Sequence, residues 1–309
     1  GIGAFRLALI ASAGGLMLFS IAGGSWKPWA APHMLRFGFC FLLMIGLAMV
    51  SLRLWFISAY PIYAVALVLL IAVEVIGDVS LGAQRWLQIG PLRMQPSEVM
   101  KIGLVLALAR FYHGVSSDSA QLSWRLLIPV GLIAVPTLLV AHQPDLGTAV
   151  LIAATGLAIM VLAGLSLRVV GAGIVAALCA IPPFVLFVLH DYQRKRILTF
   201  LNPESDPSGS GYHILQSKIA LGSGGLMGRG FGLGSQSQLN FLPEKHTDFI
   251  FTTLAEEFGF IGAFSLLGLY ALIIGFCLVA AFQNRDRFSA LLIVGVAANF
   301  FFYIAVNLS

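Results

Sequence analysis

Residues 55–77 read WFISAYPIYAVALVLLIAVEVIG, with Glu74 as the only charged side chain in the stretch. About 20 apolar residues are what an α-helix needs to cross the roughly 30 Å hydrocarbon core of a bilayer. No water reaches that core, so backbone donors and acceptors must be satisfied within the segment, and a helix is implied. Outward from this stretch the same pattern recurs at 4–22, 33–52, 96–112, 125–143, 146–165, 167–190, 249–282 and 289–308. The sequence therefore predicts an all-α, polytopic transmembrane helix bundle with nine spans. It is read as a single transmembrane domain over 1–309, with a large extracytoplasmic loop at 191–248. The 249–282 run is longer than a bilayer needs, so it is expected to tilt or to start outside the hydrocarbon. Pro182 and Pro183 predict a kink in the seventh span.

Composition agrees. The chain has 309 residues, 59% hydrophobic and 10% charged, with a mean hydropathy of +0.94. A soluble domain carries about 25% charged residues, so these charges cover a surface only if lipid covers most of it. The net charge of +5 is scattered and forms no basic stripe, which excludes nucleic acid as a partner. Cys40, Cys179 and Cys277 lie singly in apolar runs, with neither a disulfide framework nor metal-ligand spacing, and are expected to be small buried hydrophobes. The chain begins at Gly1, so a trimmed N-terminus is expected. Its first apolar run lacks a small-residue cleavage site and reads as a span.

Orientation follows from Lys and Arg in short loops. One face receives Arg6, Arg53, Arg110, Arg125, Arg168, Arg285 and Arg287; the other receives Lys27, Arg36, Arg85 and Arg93. Seven against four makes the first face cytoplasmic. The long loop falls on the outer face and adds Arg194, Lys195, Arg196, Lys218, Arg229 and Lys245. Within it, 212–221 is suited to a short amphipathic helix on the membrane surface. Seven glycines follow in the thirteen residues 222–234. With no preceding strand and no Gly-Lys-Ser/Thr, this is no nucleotide cradle. It is either a flexible connector or a backbone that must pass close to a bulky substrate or fold back into a cavity.

Charges in or near spans are costly and point to sites. Glu98 and Lys101, three residues apart at the start of the fourth span, share a helix face and can pair. Alternatively, Glu98 serves the helix N-terminus and Lys101 snorkels. Asp145 follows Pro144 and can cap the sixth span or face a substrate cavity. Arg85 and Trp86 lie on the same outer face; tryptophan is common in interfacial belts. Asp248 stands where the long loop enters the eighth span, with Lys245 and His246 beside it. It can cap that helix or present a carboxylate to an outer cavity. Glu256 and Glu257 follow about 12 Å deeper, where adjacent carboxylates cannot both face lipid, and a structural partner, an arginine or a backbone group, is expected for at least one. Cations and a few carboxylates on one face suit an anionic, lipid-borne substrate: cations hold phosphates, and one carboxylate acts as a base.

Five strings resemble the SEDS family (shape, elongation, division and sporulation). They are Gly82-Ala83-Gln84-Arg85-Trp86, Gln95-Pro96-Ser97-Glu98, Gln143-Pro144-Asp145-Leu146-Gly147-Thr148-Ala149, Gln216-Ser217-Lys218-Ile219-Ala220, and the run from Leu242 to Phe251 containing Pro243-Glu244-Lys245-His246-Thr247-Asp248. The third and fifth are most similar to the elongation, RodA-type branch. The resemblance implies a peptidoglycan glycosyltransferase of the bacterial inner membrane that polymerises lipid II. It implies a class B penicillin-binding protein and the elongation machinery as partners. It puts the catalytic residue at Asp248, with Glu98 and Lys101 lining or supporting the same periplasmic cavity. Arg85, Lys101, Lys218, Arg229 and Lys245 are candidates for the pyrophosphate, and Trp86, Asp145 and His246 for the cavity wall. No cofactor follows from the residues. A divalent cation, Mg2+ or Mn2+, with Asp248 as its ligand is the alternative to Asp248 as base. Family members have ten spans, so a tenth is expected beyond Ser309. A lipid II flippase and a scaffold that only recruits the penicillin-binding protein are the competing functions.

Overall fold

The computed structural model describes residues 2–80, 83–90, 92–115, 124–143, 145–166, 168–173, 175, 179, 210–234, 247 and 249–308. Eight predicted spans are helices: α1 (Ile2–Ile21), α2 (Ala30–Ala48), α3 (Leu52–Ile76), α4 (Pro96–His113), α5 (Leu127–His142), α6 (Leu146–Leu162), α8 (Ile250–Gln283) and α9 (Arg287–Leu308). Between α6 and α8, helix α7 spans Ser210–Ser223. Of the predicted seventh span, residues 168–173 are helical; Pro182 and Pro183 lie outside the described residues. Five helices (α1, α2, α3, α8 and α9) are long and apolar enough to cross a membrane, while α5 and α6 are apolar but shorter. Helix α4 is set apart by Glu98, Lys101 and Arg110 along its 18 residues.

The chain divides into two compact units, Gly1–Met49 with Phe184–Ile273, and Val50–Pro183 with Ile274–Ser309. In the second unit α4 is the central helix. Met100, Leu104, Ala107, Leu108 and Ala109 are wholly buried, and α3, α5, α6 and α9 all pack on it. Small residues permit this closeness, since association in lipid depends on tight packing. A side chain at Gly103 would press on the backbone of Tyr63, and one at Gly295 would run into Val105 and Ile159. At one end of the unit Arg287 donates to the carbonyls of Val115 (2.5 Å) and Ala163 (2.8 Å), just past the ends of α4 and α6. A cation there meets the unpaired carbonyls and the negative ends of two helix dipoles.

The connection from α3 to α4 holds a feature the hydropathy pattern does not announce. Strands β1 (Asp78–Ser80), β2 (Ala83–Ile89) and β3 (Leu92–Met94) form an antiparallel sheet in that order, with Asp78 opposite Trp86 and Gln88 opposite Arg93. Three short strands carry too few alternating positions to stand out from the apolar runs beside them.

In the first unit α1 packs on α2, where His33 Nε2 lies 3.2 Å from the Ala11 carbonyl. The outer side of α2 is apolar and exposed: Leu35 is 76%, Phe39 69% and Leu42 69% exposed, as lipid-facing residues are. The cysteines follow the same logic. Cys40 and Cys179 are exposed and Cys277 is half-buried, so they are not the buried residues expected from sequence. In lipid an apolar thiol gains nothing by turning inward.

Candidate active site

The predicted site residues fall into both units. In the second, Pro96 occupies the first turn of α4, where its missing N–H costs nothing. Glu98 and Lys101 then project from one face, and Lys101 Nζ donates to Glu98 Oε1 at 2.9 Å. Lys101 does not snorkel: its side chain is 2% exposed, against 47% for Glu98. Its ammonium sits 4.3 Å from the ring centroid of Tyr303, on α9. A buried lysine must be compensated, and a carboxylate with an aromatic face does so.

The sheet sets the neighbouring pair. Strand residues alternate sides, so Arg85 shares a face with Leu87, which is 4% exposed. Trp86 takes the other face with Arg93, whose guanidinium carbon lies 4.8 Å from the indole centroid. On the inner face Arg85 Nη1 comes to 3.9 Å from Asp145 Oδ2. Asp145 caps α6, accepting from the Thr148 amide (3.3 Å) and hydroxyl (2.9 Å). It also accepts from Gln95 Nε2 at 3.1 Å. Asp145 is therefore a cap that ties the start of α6 to the start of α4 and to β2. Arg85, Gln95, Glu98, Lys101 and Asp145 gather at one end of this unit.

In the first unit the glycine-rich segment is not a loose connector. Helix α8 is interrupted at Gly259 (φ +68°, ψ −164°), a conformation open to glycine alone. The break removes the helical bonds that Phe260 and Ile261 would donate to the carbonyls of Glu256 and Glu257. The glycine-rich segment inserts there and satisfies all four groups. Phe260 N–H donates to the Gly225 carbonyl (2.8 Å) and Ile261 N–H to that of Leu226 (3.2 Å). Arg229 and Gly230 N–H donate to Glu256 and Glu257 (both 3.0 Å). Side chains at Gly224 and Gly228 would collide with the carbonyls of Ala255 and Glu257. The backbone does make a close approach here, but the group it meets is the chain's own helix, where a bulky substrate or a cavity was expected. The excess length of the 249–282 run is taken up by this break: the part after it is about 36 Å long, enough to span alone.

Glu256 and Glu257, just before the break, are 0% and 1% exposed, and Ser20 Oγ donates to Glu257 Oε1 at 2.5 Å. Where an arginine or a backbone group was expected, the side-chain partner is a serine of α1, with the Gly232 backbone also bonded to Glu257. Lys218 on α7 and Arg229 in the glycine-rich segment are exposed, and Arg229 Nε donates to the Ser223 carbonyl at 3.3 Å. Asp248, Lys245 and His246 lie outside the described residues. Tyr303 and Ser20 had no signal in the sequence, since each meets its partner across a separation of roughly two hundred residues. Gly259 had only the overlong apolar run as a signal, and that run also holds Gly262, Gly268 and Gly275, so the position of the break was not marked.

Helices that cross a membrane, small residues at their crossings and a charged cluster at one end define a polytopic membrane protein with a polar site. Residues 5–309 match the family described as cell cycle protein, comprising FtsW, RodA and SpoVE. The chain belongs to this family. It is 46% identical over 268 residues to the peptidoglycan glycosyltransferase MrdB of Escherichia coli K12, covering 86% of this chain and 72% of that one. It is 38% identical over 270 residues to a probable peptidoglycan glycosyltransferase FtsW of Trichlorobacter lovleyi, covering 84% and 68%. A solved structure on the coordination of polymerization and crosslinking by a peptidoglycan synthase complex superposes with a TM-score of 0.83 at 32% identity, covering 99% of this chain and 85% of that one. The rod shape determining protein RodA of Thermus thermophilus superposes with a TM-score of 0.71 at 29% identity, covering 99% and 83%.

Proposed function

We propose that this chain polymerises lipid II in the inner membrane, with its active site on the periplasmic side and Asp248 as general base. The chain is a peptidoglycan glycosyltransferase of the elongation type, which its likeness to MrdB and to the rod shape determining protein RodA supports. The observation that carries the finer reading is Lys101: a buried ammonium held between Glu98 and Tyr303, beside the Arg85–Asp145–Gln95 network. A cation kept in place before substrate arrives is what a departing pyrophosphate needs.

The acceptor sugar's C4 hydroxyl attacks the donor's anomeric carbon. A carbon–oxygen bond forms with inversion, from α to β, as the bond to the pyrophosphate breaks. The hydroxyl proton passes to Asp248, and undecaprenyl pyrophosphate leaves as the anion, drawn by the site's cations. Arg85 and Lys101 are the described candidates best placed for that role. Lys218 and Arg229, exposed in the other unit, and Lys245 are further ones. Asp248, the residue that would hold Mg2+ or Mn2+ in the alternative to its role as base, lies outside the described residues; a cation bound there would supply charge stabilisation for the leaving pyrophosphate. As partner we propose a class B penicillin-binding protein within the elongation machinery. The structural neighbour in a complex that couples polymerization to crosslinking supports this.

The test is polymerisation of labelled lipid II by the purified chain. Wild type should form glycan polymer and Asp248→Asn none, at unchanged thermal stability. Wild-type rate and polymer length in the variant would remove Asp248 from the chemistry. A chain that moves lipid II between leaflets but makes no polymer would be a flippase instead.

A further inference from the structure

Two polar side chains inside the second unit are buried without a partner among the described residues. The Thr155 hydroxyl on α6 is one, in a residue 1% exposed, and the Oδ1 atom of Asn299 on α9 is the other. Helix periodicity places them beside each other and beside Lys101. Helices α4, α6 and α9 pack on one another, with α9 running opposite to the other two. A side chain at Gly295 of α9 would meet Val105 of α4 and Ile159 of α6, so these three positions share one level of the seam. Four residues along each helix, toward the Asp145 end, the same three faces carry Lys101, Thr155 and Asn299.

A buried acceptor or donor left unmade is costly, and folded proteins meet it with another group or with water. Lys101 has the complementary need. Its ammonium carries three protons. One goes to Glu98 Oε1 at 2.9 Å, and the Tyr303 ring covers the cation on another side, 4.3 Å away. The third has no acceptor among the described residues, and the side chain is only 2% exposed. An unmet donor and two unmet acceptors at one level of a seam, with no direct bond between them, are joined by a bridging water. We propose that Thr155 and Asn299 hold an ordered water between α4, α6 and α9, and that this water takes the third proton of Lys101. The water accepts from Lys101 and from the Thr155 hydroxyl and donates to Asn299 Oδ1, about the three hydrogen bonds usual for a buried water. Thr155 and Asn299 are then positioning residues that aim the ammonium, which rests on Lys101 being the cation that meets the departing pyrophosphate.

The experiment takes Thr155→Val, Asn299→Leu and the double variant of the full chain through thermal melting without substrate, then through polymerisation of labelled lipid II. Each single variant should melt about 2–4 °C below wild type, because the water loses one partner. The double variant should lose less than the sum, since both residues act through one water. Its kcat should fall about tenfold at unchanged KM, as expected when a hydrogen bond to a charge is lost from the step in which the pyrophosphate departs. Thr155→Ser keeps the hydroxyl and should match wild type in both measurements. A rise in melting temperature in either single variant would mean that its polar group was unpaired and better removed, and would overturn the proposal. Additive losses in the double variant would overturn it too, as would an unchanged kcat. If wild type yields no polymer, the polymerase reading fails, and the melting series, which needs no substrate, still decides whether the water is there.

Discussion

The Lys101 cluster of the second unit and the Gly259 break of the first are both polar arrangements in an apolar protein, built from opposite materials. The first is made of side chains: Lys101, Glu98 and Tyr303, with Asp145, Gln95 and Arg85 next to them. The second is made of backbone: four peptide groups of α8 exchanged with Gly225, Leu226, Arg229 and Gly230. A side-chain cluster can lose a charge and keep its shape. A backbone exchange has no such tolerance, because any added carbon occupies the space the peptide needs.

That contrast orders the expected effects. The largest is Gly259→Ala or Gly228→Ala. Both positions have positive φ, and a Cβ at Gly259 would meet the Gly228 nitrogen and Leu226 carbonyl while one at Gly228 would meet the Glu257 carbonyl, so each substitution should cost on the order of 2–4 kcal/mol and appear as a large loss of folded protein on heating. Wild-type melting would mean that the insertion adds little. Next is Lys101→Met, which keeps most of the side-chain volume. It should melt within a few degrees of wild type yet polymerise about a hundredfold more slowly. If it unfolds as readily as the glycine variants, the two regions are not different in kind. Smaller is Asp145→Ala, which removes the α6 cap and should cost about 1 kcal/mol. Asp145→Asn keeps the capping oxygen and should recover most of that stability while still weakening the hold on Arg85.

The smallest effect is a pH dependence at Asp286, in the turn between α8 and α9. The Ser289 hydroxyl, donating at 2.5 Å, is the chief cause that holds this carboxyl below its usual value; the Ser289 and Phe288 amides and His113 add to it. A depressed value means the ionised form is favoured by the fold. Its contribution is therefore complete above about pH 4 and is lost as pH falls through the folded value. Melting from pH 6 to 3 should show wild type losing its small advantage over Asp286→Asn on acidification. A constant difference would mean the hydrogen bonds matter without the charge.

Much of the fold was legible because lipid imposes one rule on every span. Long apolar runs announce helices, and the edges of α3, α4, α6 and α9 fall within a few residues of those expected. The sheet at 78–94 was not legible, since its strands are short and its purpose is to aim Arg85 inward and Trp86 outward. The Glu98–Lys101 pair was visible as a spacing of three on a helix. Its burial was not, because that depends on Tyr303, which arrives from the other end of the chain.

The amino-acid pattern by itself determined a lipid-embedded helical protein, the family it resembles and the residue types gathered near the helix starts. Each of these follows from local composition, since transfer into hydrocarbon and helix periodicity act within a single segment. The tertiary structure alone decided that Lys101 is buried on an aromatic ring, that Asp145 joins three elements, and that the glycine-rich segment completes a broken helix. Those outcomes depend on which distant groups meet, and only the packed chain brings them together.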